Sequence, residues 1–194
     1  MKDTDFFTYI EGDDYWCSPQ RTQKHLDILR ENPQVAFCVN AFKFFLEDKK
    51  KMISGNRFSK LAYKYNNTYD LISNYIGNSG CYFYRSSLLQ SEDFERIKRM
   101  EIEWQLILLL SMQGDCYFLD EELNVYRKHE GGTWSELKDE KKDLLKLNYL
   151  ADINRELGLL FDDAFIDKSV GMMQACFLTF RSRYNLAIID KFAG

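Results

Sequence analysis

The segment Glu11-Gly12-Asp13-Asp14-Tyr15-Trp16 sets three carboxylates within four residues. Charges of one sign packed this closely repel and cost stability unless a cation lies nearby. Hard divalent cations take carboxylate oxygens and keep other positions for water and phosphate, so the cluster suits a metal that meets a diphosphate. With 30 acidic and 26 basic residues, a net charge of −4, the chain has no positive surplus to hold such an anion unaided. The plainer alternative is a solvated acidic turn in which Asp13 or Asp14 caps the next helix. A second candidate stretch runs from Tyr126 to Gly132. His129, one of two histidines, reads in isolation as an exposed loop residue. As a ligand, its neutral imidazole suits a divalent metal, and Gly131-Gly132 permits close backbone approach. Arg127 suits a phosphate or an acidic side chain equally. His25, with polar neighbours, is assigned no role.

These residues need elements to position them. Phe6–Ile10 is aromatic and β-branched and predicts a strand that ends in the acidic turn, the end at which open α/β sheets bind ligands. Ser18-Pro19 predicts an N-cap and a first helical residue, with the helix stopping before Asn32-Pro33. Val35–Leu46 predicts a strand followed by a Lys-rich hairpin turn. Asn67 or Thr68 caps a short helix through Leu71 and Ile72, Asn78-Ser79-Gly80 breaks it, and Cys81–Tyr84 is the next strand. Ser91 starts a polar helix to about Arg99. Glu103–Gln113 is apolar almost all round and predicts a buried helix with Gly114 as its C-cap. Cys116–Leu119 reads as a short strand. Thr133–Glu136 fits a capping box before a long helix. The tail from Phe161 reads as helix with Phe165, Met172, Met173, Cys176, Phe177 and Phe180 as its apolar stripe. The expected fold class is α/β, a mixed sheet with packed helices over residues 1–135 and a helical C-terminal extension over 136–194.

Three segments together resemble family 2 glycosyltransferases of the GT-A fold. YIEGDDYWCSPQRTQKHLDIL (9–29) is similar to the family's strand, DxD-type acidic turn, Tyr-Trp and proline-started helix. IGNSGCYFYRSSLL (76–89) is similar to the strand lining the acceptor side. EWQLILLLSMQGDCYFLDEELNVYRKHEGGTW (103–134) resembles the acid-Trp helix, its Gly turn and the closing Tyr-Arg-x-His-x-Gly-Gly-x-Trp. The resemblance implies inverting transfer of a sugar from a nucleotide-sugar donor to a saccharide or lipid-linked saccharide acceptor, with Mn²⁺ or Mg²⁺ as cofactor. It makes Asp13 the principal metal ligand, with Glu11 and His129 completing the metal set. Glu103 falls at the general base, with Glu101 as a rival, and both Glu11 and Glu103 stand where the family commonly has Asp. Asp14, Arg127 and Trp134 fall on the substrate side. Simple attraction of Glu103 to the positive end of its own helix is the alternative account of that residue.

Composition narrows the field. Hydrophobic residues at 45% and aromatics at 15% are too many for a disordered chain. The acidic balance gives no electrostatic bias toward nucleic acid. Five cysteines, odd in number and widely spaced, read as thiols in a reducing compartment rather than a disulfide framework. No apolar run reaches the ~18 residues of a membrane span, so the expected location is cytoplasmic, free or peripheral at the inner membrane face. Only about ten residues precede the acidic turn, whereas a complete GT-A domain opens with further βα units that hold base and ribose. The expectation is therefore an acceptor-side portion whose partner is a complementary nucleotide-binding chain, the rest of a longer enzyme, or a second copy. Two other classes stay open: a catalytically silent glycan- or protein-binding domain, and an unrelated metal-dependent phosphoryl-transfer domain using the acidic turn alone. On the first reading the chain should bind UDP- and GDP-sugars weakly or not at all in calorimetry with Mn²⁺. Micromolar binding would show that the donor contacts are present after all.

Overall fold

The computed structural model describes residues 5–55, 63–75, 78–89, 96, 97, 99, 100, 102–132 and 137–192. The chain separates into two compact units, residues 1–136 and 137–194. Its content is mixed α/β, with a curled mixed sheet of seven strands.

The sheet is built on two long parallel strands, β3 (Val35–Leu46) and β7 (Asp115–Lys128). β3 is a nearly continuous run of aromatic and β-branched residues, and its first eight positions are all buried, as a strand covered on both faces requires. Each long strand carries short antiparallel partners. β6 (Tyr82–Arg85) pairs with the first half of β3, and β4 (Lys51–Ser54) with the second half through the predicted Lys-rich hairpin. β5 (Tyr65–Asn66) and β2 (Tyr15–Trp16) likewise pair with the two halves of β7. β1 (Phe6–Phe7) adds antiparallel to β6. Between Asn40 and Phe42 the β3–β7 register shifts twice, since Asn40 opposes Leu119, Ala41 opposes Glu122 and Phe42 opposes Asn124. Surplus residues on one strand bend it and increase its twist.

Helix α1 (Arg21–Glu31) covers one face, where Leu29 packs with Val35, Cys38, Phe83 and Tyr117. Helix α2 (Thr68–Ser73) is capped by Asn67 with Asp70 in a reciprocal capping box. Helix α3 (Glu103–Ser111) packs against α2 and β3, with Ile107, Leu108 and Leu110 fully buried. The second unit consists of α4 (Asp139–Glu156) and α5 (Asp162–Phe192), packed on each other.

Several expectations change in detail. Strand β1 stops at Phe7, because Thr8 turns its hydroxyl to the Tyr82 carbonyl (2.6 Å). Helix α1 begins at Arg21 rather than at the proline. Ser18 instead closes a preceding turn, its hydroxyl taking the Gln20 N–H and its carbonyl the Arg21 N–H. Helix α3 ends at Ser111, with Met112 as its C-cap. Gly114 serves close approach, since a Cβ there would lie 2.7 Å from the Gln34 carbonyl oxygen. β7 is far longer than Cys116–Leu119 and takes in Tyr126–Lys128, and Tyr15-Trp16, to which the sequence assigned no element, forms a short strand. In α5, Phe165 is buried but Met173 and Phe177 are exposed. Ser91 and Thr133–Glu136 lie outside the described residues.

At the bend sits a buried polar cluster that the sequence did not announce. Arg21 is 1% exposed. Its Nε donates to Asn40 Oδ1 (3.2 Å) and Asn124 Oδ1 (3.1 Å), and its Nη2 to the carbonyls of Gly80 (2.7 Å) and Tyr82 (3.1 Å). Burial lowers the guanidinium to about 10, so it stays charged at neutral pH. His25 Nε2 lies 2.9 Å from the same Asn40 oxygen, and burial, then the Arg21 charge, pushes it down to about 3. The imidazole is therefore neutral and donates from Nε2. Replacing Arg21 by Ala removes hydrogen bonds to four buried acceptors and empties a packed site, so urea unfolding should show a loss of about 3 kcal/mol or more. Arg21→Lys should recover little of it, because one ammonium cannot fork to four oxygens.

Candidate functional site

The three carboxylates of the acidic turn diverge to three different partners. Asp14 Oδ1 accepts the Arg127 N–H (2.9 Å) and its Oδ2 accepts Asn78 Nδ2 (2.7 Å), which clips the turn to β7 and to the 3₁₀ turn Ser79–Cys81. Burial raises its pKa, opposed by these two donors and reinforced by Asp13 and Glu11. Asp13 turns instead to His129, with Oδ2 and Nε2 2.9 Å apart. Glu11 Oε1 accepts the Ser79 hydroxyl (3.1 Å). The turn is thus neither a plain solvated loop nor a cap for α1. Separate donors relieve the mutual repulsion that, on sequence grounds, called for a cation.

Both ring nitrogens of His129 face oxygen acceptors: Nδ1 the Glu130 carbonyl (2.8 Å) and Nε2 the Asp13 carboxylate. An imidazole can donate from both only when protonated. The hydrogen bond from Asp13 raises His129 above its ordinary value, and His129 in turn lowers Asp13. Among the described residues no three His, Cys, Asp or Glu side chains gather closely enough to hold a metal by themselves. Asp13 and His129 nonetheless form a fitting two-ligand set. The Nδ1–carbonyl bond is the orientation that metal-bound imidazoles use, and Mg²⁺-type ions commonly take few protein ligands and fill the rest with phosphate and water. Glu11, directed to Ser79, stands apart from that pair.

Glu103 opens α3, where the first-turn N–H groups favour an acid. Its Oε1 accepts the Tyr9 hydroxyl (3.3 Å) and its Oε2 the Tyr75 hydroxyl (3.4 Å). Burial, then the charge of Glu11, pushes the carboxyl up to about 7, and the nearby hydroxyls of Ser79, Tyr9 and Tyr75 oppose that rise. Tyr75 is fixed by stacking on Trp104 (5.1 Å), whose Nε1 donates to the Leu71 carbonyl (2.9 Å). A carboxyl poised near neutrality is suited to take up a proton.

Arg127 is tied down at both ends of its guanidinium. Nη2 donates to Glu47 (2.8 Å) and Nη1 to the Asp13 carbonyl (3.3 Å), so the acidic pairing is the one formed. Trp134 and Glu101 lie outside the described residues. Sequence reasoning passed over Tyr9, Tyr75, Asn78 and Ser79. The signal for the last two was Asn78-Ser79-Gly80, read only as a helix break.

If Asp13 and His129 hold a divalent ion, Mn²⁺ should raise the melting temperature, by the equivalent of about 2.7 kcal/mol at a hundredfold excess over Kd. Asp13→Ala should abolish the shift and, without metal, lower the His129 pKa in an NMR titration, since the hydrogen bond to Asp13 is the largest cause of its rise.

No family model matches the sequence. Over 132 residues the chain is 28% identical to the uncharacterized proteins Rv1520 and MT1570 of Mycobacterium tuberculosis and Mb1547 of Mycobacterium bovis. The match takes in 67% of this chain, which spans 36% of the length of these curated relatives.

Proposed function

We propose that this chain carries the acceptor-side site of a metal-dependent inverting glycosyltransferase resembling family 2. One observation supports the reading above others. The three segments that carry the resemblance meet by direct hydrogen bonds: Asp13 with His129 across 116 positions, Asp14 with Asn78 across 64, Glu11 with Ser79 across 68, and Tyr9 with Glu103 across 94.

In this reading Glu103 accepts the proton of the attacking acceptor hydroxyl. The acceptor oxygen bonds to the anomeric carbon as the bond from that carbon to the diphosphate breaks. Asp13 and His129 hold the divalent ion, which supplies charge neutralisation for the diphosphate. The His129 proton must leave when the ion binds, so metal uptake releases a proton. Asp14 keeps the acidic turn in register with β7, and Tyr9 and Tyr75 hold the plane of the base. A second reading, a catalytically silent glycan- or protein-binding domain, is favoured by the closed Asp13–His129 pair, which is satisfied without an ion.

The test is sugar transfer by the full chain at millimolar UDP- and GDP-sugar with Mn²⁺ and a saccharide acceptor. The rate should rise with pH through about 7, the value of the Glu103 carboxyl. Glu103→Gln should lower it at least about 100-fold while leaving the Mn²⁺ shift intact. The same variant carries a stability signature. A carboxyl raised from 4.5 to about 7 is most favourable to the fold below 4.5, and that contribution is lost as pH climbs through 7. Glu103→Gln should therefore be more stable than wild type at pH 8 by one to about 3 kcal/mol, and not at pH 4. A wild-type chain without transfer would leave the silent-domain reading, whereas a variant with full transfer would remove Glu103 as the base.

A further inference from the structure

Two aromatic side chains beside the carboxylates are exposed and yet held rigidly. Tyr9 is 39% exposed. One side of its ring lies nearly parallel to Tyr84 (6.4 Å between centroids, 9° between planes), and its hydroxyl is anchored on Glu103. Trp16 is also 39% exposed. Its indole N–H donates to the Gly80 carbonyl (3.0 Å), and the Arg21 guanidinium lies 4.7 Å from its ring centroid. Gly80 directly follows Ser79, whose hydroxyl donates to Glu11. Each ring is therefore backed by the protein, pinned by its polar atom and open to solvent in part. Exposed aromatic surface costs hydration free energy, and pinning it forgoes the mobility that would lessen that cost. Flat rings bordered by hydroxyl and carboxylate oxygens match a pyranose, which offers a patch of axial C–H groups on one face and hydroxyl donors around its rim.

We propose that Tyr9 and Trp16 form the stacking surface for a pyranose ring of the acceptor, with Tyr9 registering that ring against Glu103. This rests on the transferase reading above, and it adds the acceptor's chemical class and the residues that select it. Tyr9 is a specificity-determining residue here, because its ring meets the sugar while its hydroxyl holds the base. Trp16 extends the surface toward Gly80. A pyranose with equatorial substituents, whose axial C–H groups form one uninterrupted apolar face, fits best. An axial hydroxyl on that face would stand off the rings.

Saturation-transfer NMR on the full chain, without donor or metal, tests this with the methyl β-pyranosides of glucose and of allose, whose axial 3-hydroxyl stands on the H1/H5 face and should weaken binding, and with inositol as a non-pyranose control. For methyl β-glucoside, saturation should be strongest on H1, H3 and H5. Tyr9→Ala and Trp16→Ala should weaken binding about threefold to tenfold each, while Tyr9→Phe and Trp16→Phe retain it. In the transfer assay Tyr9→Ala should raise the acceptor KM and leave the donor KM unchanged, whereas Tyr9→Phe should lower kcat and shift its pH profile. Uniform saturation over all sugar protons, no saturation, or alanine variants that bind like wild type would overturn the proposal. Should the alanine variants not fold, the wild-type proton pattern alone decides. A ring-dependent pattern without any transfer would overturn the transferase reading and not the stacking surface. Transfer without a ring-dependent pattern would do the reverse.

Discussion

A buried guanidinium with no carboxylate among its hydrogen-bond partners in the described residues is the constraint around which this domain is arranged. Arg21 donates to two amide oxygens and two main-chain carbonyls, on β3, on β7 and in the segment from Gly80 to Tyr82. A carboxylate would have balanced the charge with one partner. Spreading the charge over dipoles from several segments instead makes each of those segments necessary to its solvation. The same charge adds to burial in keeping His25 neutral, and it lies against Trp16. Close packing follows: a Cβ on Gly80 would come within 2.5 Å of Asn124 Nδ2 and 2.9 Å of Ile10.

The candidate site inherits its geometry from that knot. Thr8, Trp16, Gly80 and Asn124 all touch Arg21 or its direct acceptors, and each lies within a few residues of a site side chain. Tyr9 and Glu11 follow Thr8, Asp14 precedes Trp16 by two, Ser79 precedes Gly80, and Arg127 follows Asn124 by three. Rigid support of this kind is what catalytic and binding groups require, because small displacements of a positioned group cost large factors in rate. It also explains how Glu103 can be held at an unfavourable charge. Burial and the neighbouring Glu11 work against its ionisation, and the surrounding fold absorbs that cost.

The bend in the two long strands does the rest. β3 and β7 stay paired to their ends, with Leu46 opposite Lys128, although the register between them is broken midway. The shifts between Asn40 and Phe42 add residues to β7, curl the sheet and bring the end of that strand to the acidic turn. Tyr15-Trp16 then pairs with Asn124-Val125, so the turn is held by backbone bonds as well as by Asp14.

Much of this was legible locally. The twelve-residue run of β3, the Asn67 cap and the apolar stretch after Glu103 each declare themselves by periodicity, capping chemistry or sheer hydrophobicity, which act over a few residues. The motif residues Glu11, Asp13, Asp14, Glu103, Arg127 and His129 could be named for the same reason. Their partners could not. β1 was read from its aromatic residues, though as far as Ile10, whereas the two-residue β2 has no periodicity to read and takes its hydrogen bonds from β7. Arg21 and His25 sit among polar neighbours in a sequence that looks like an exposed helix, and only the cavity formed by four distant segments makes them core residues. Which carboxylate faces the histidine, and which faces Ser79, depends on side-chain directions fixed by long-range packing. The sequence by itself determined the chemical groups and the main elements. The tertiary structure decided their pairing, because hydrogen bonds across 64 to 116 positions are set by the sheet's bend and not by any local preference.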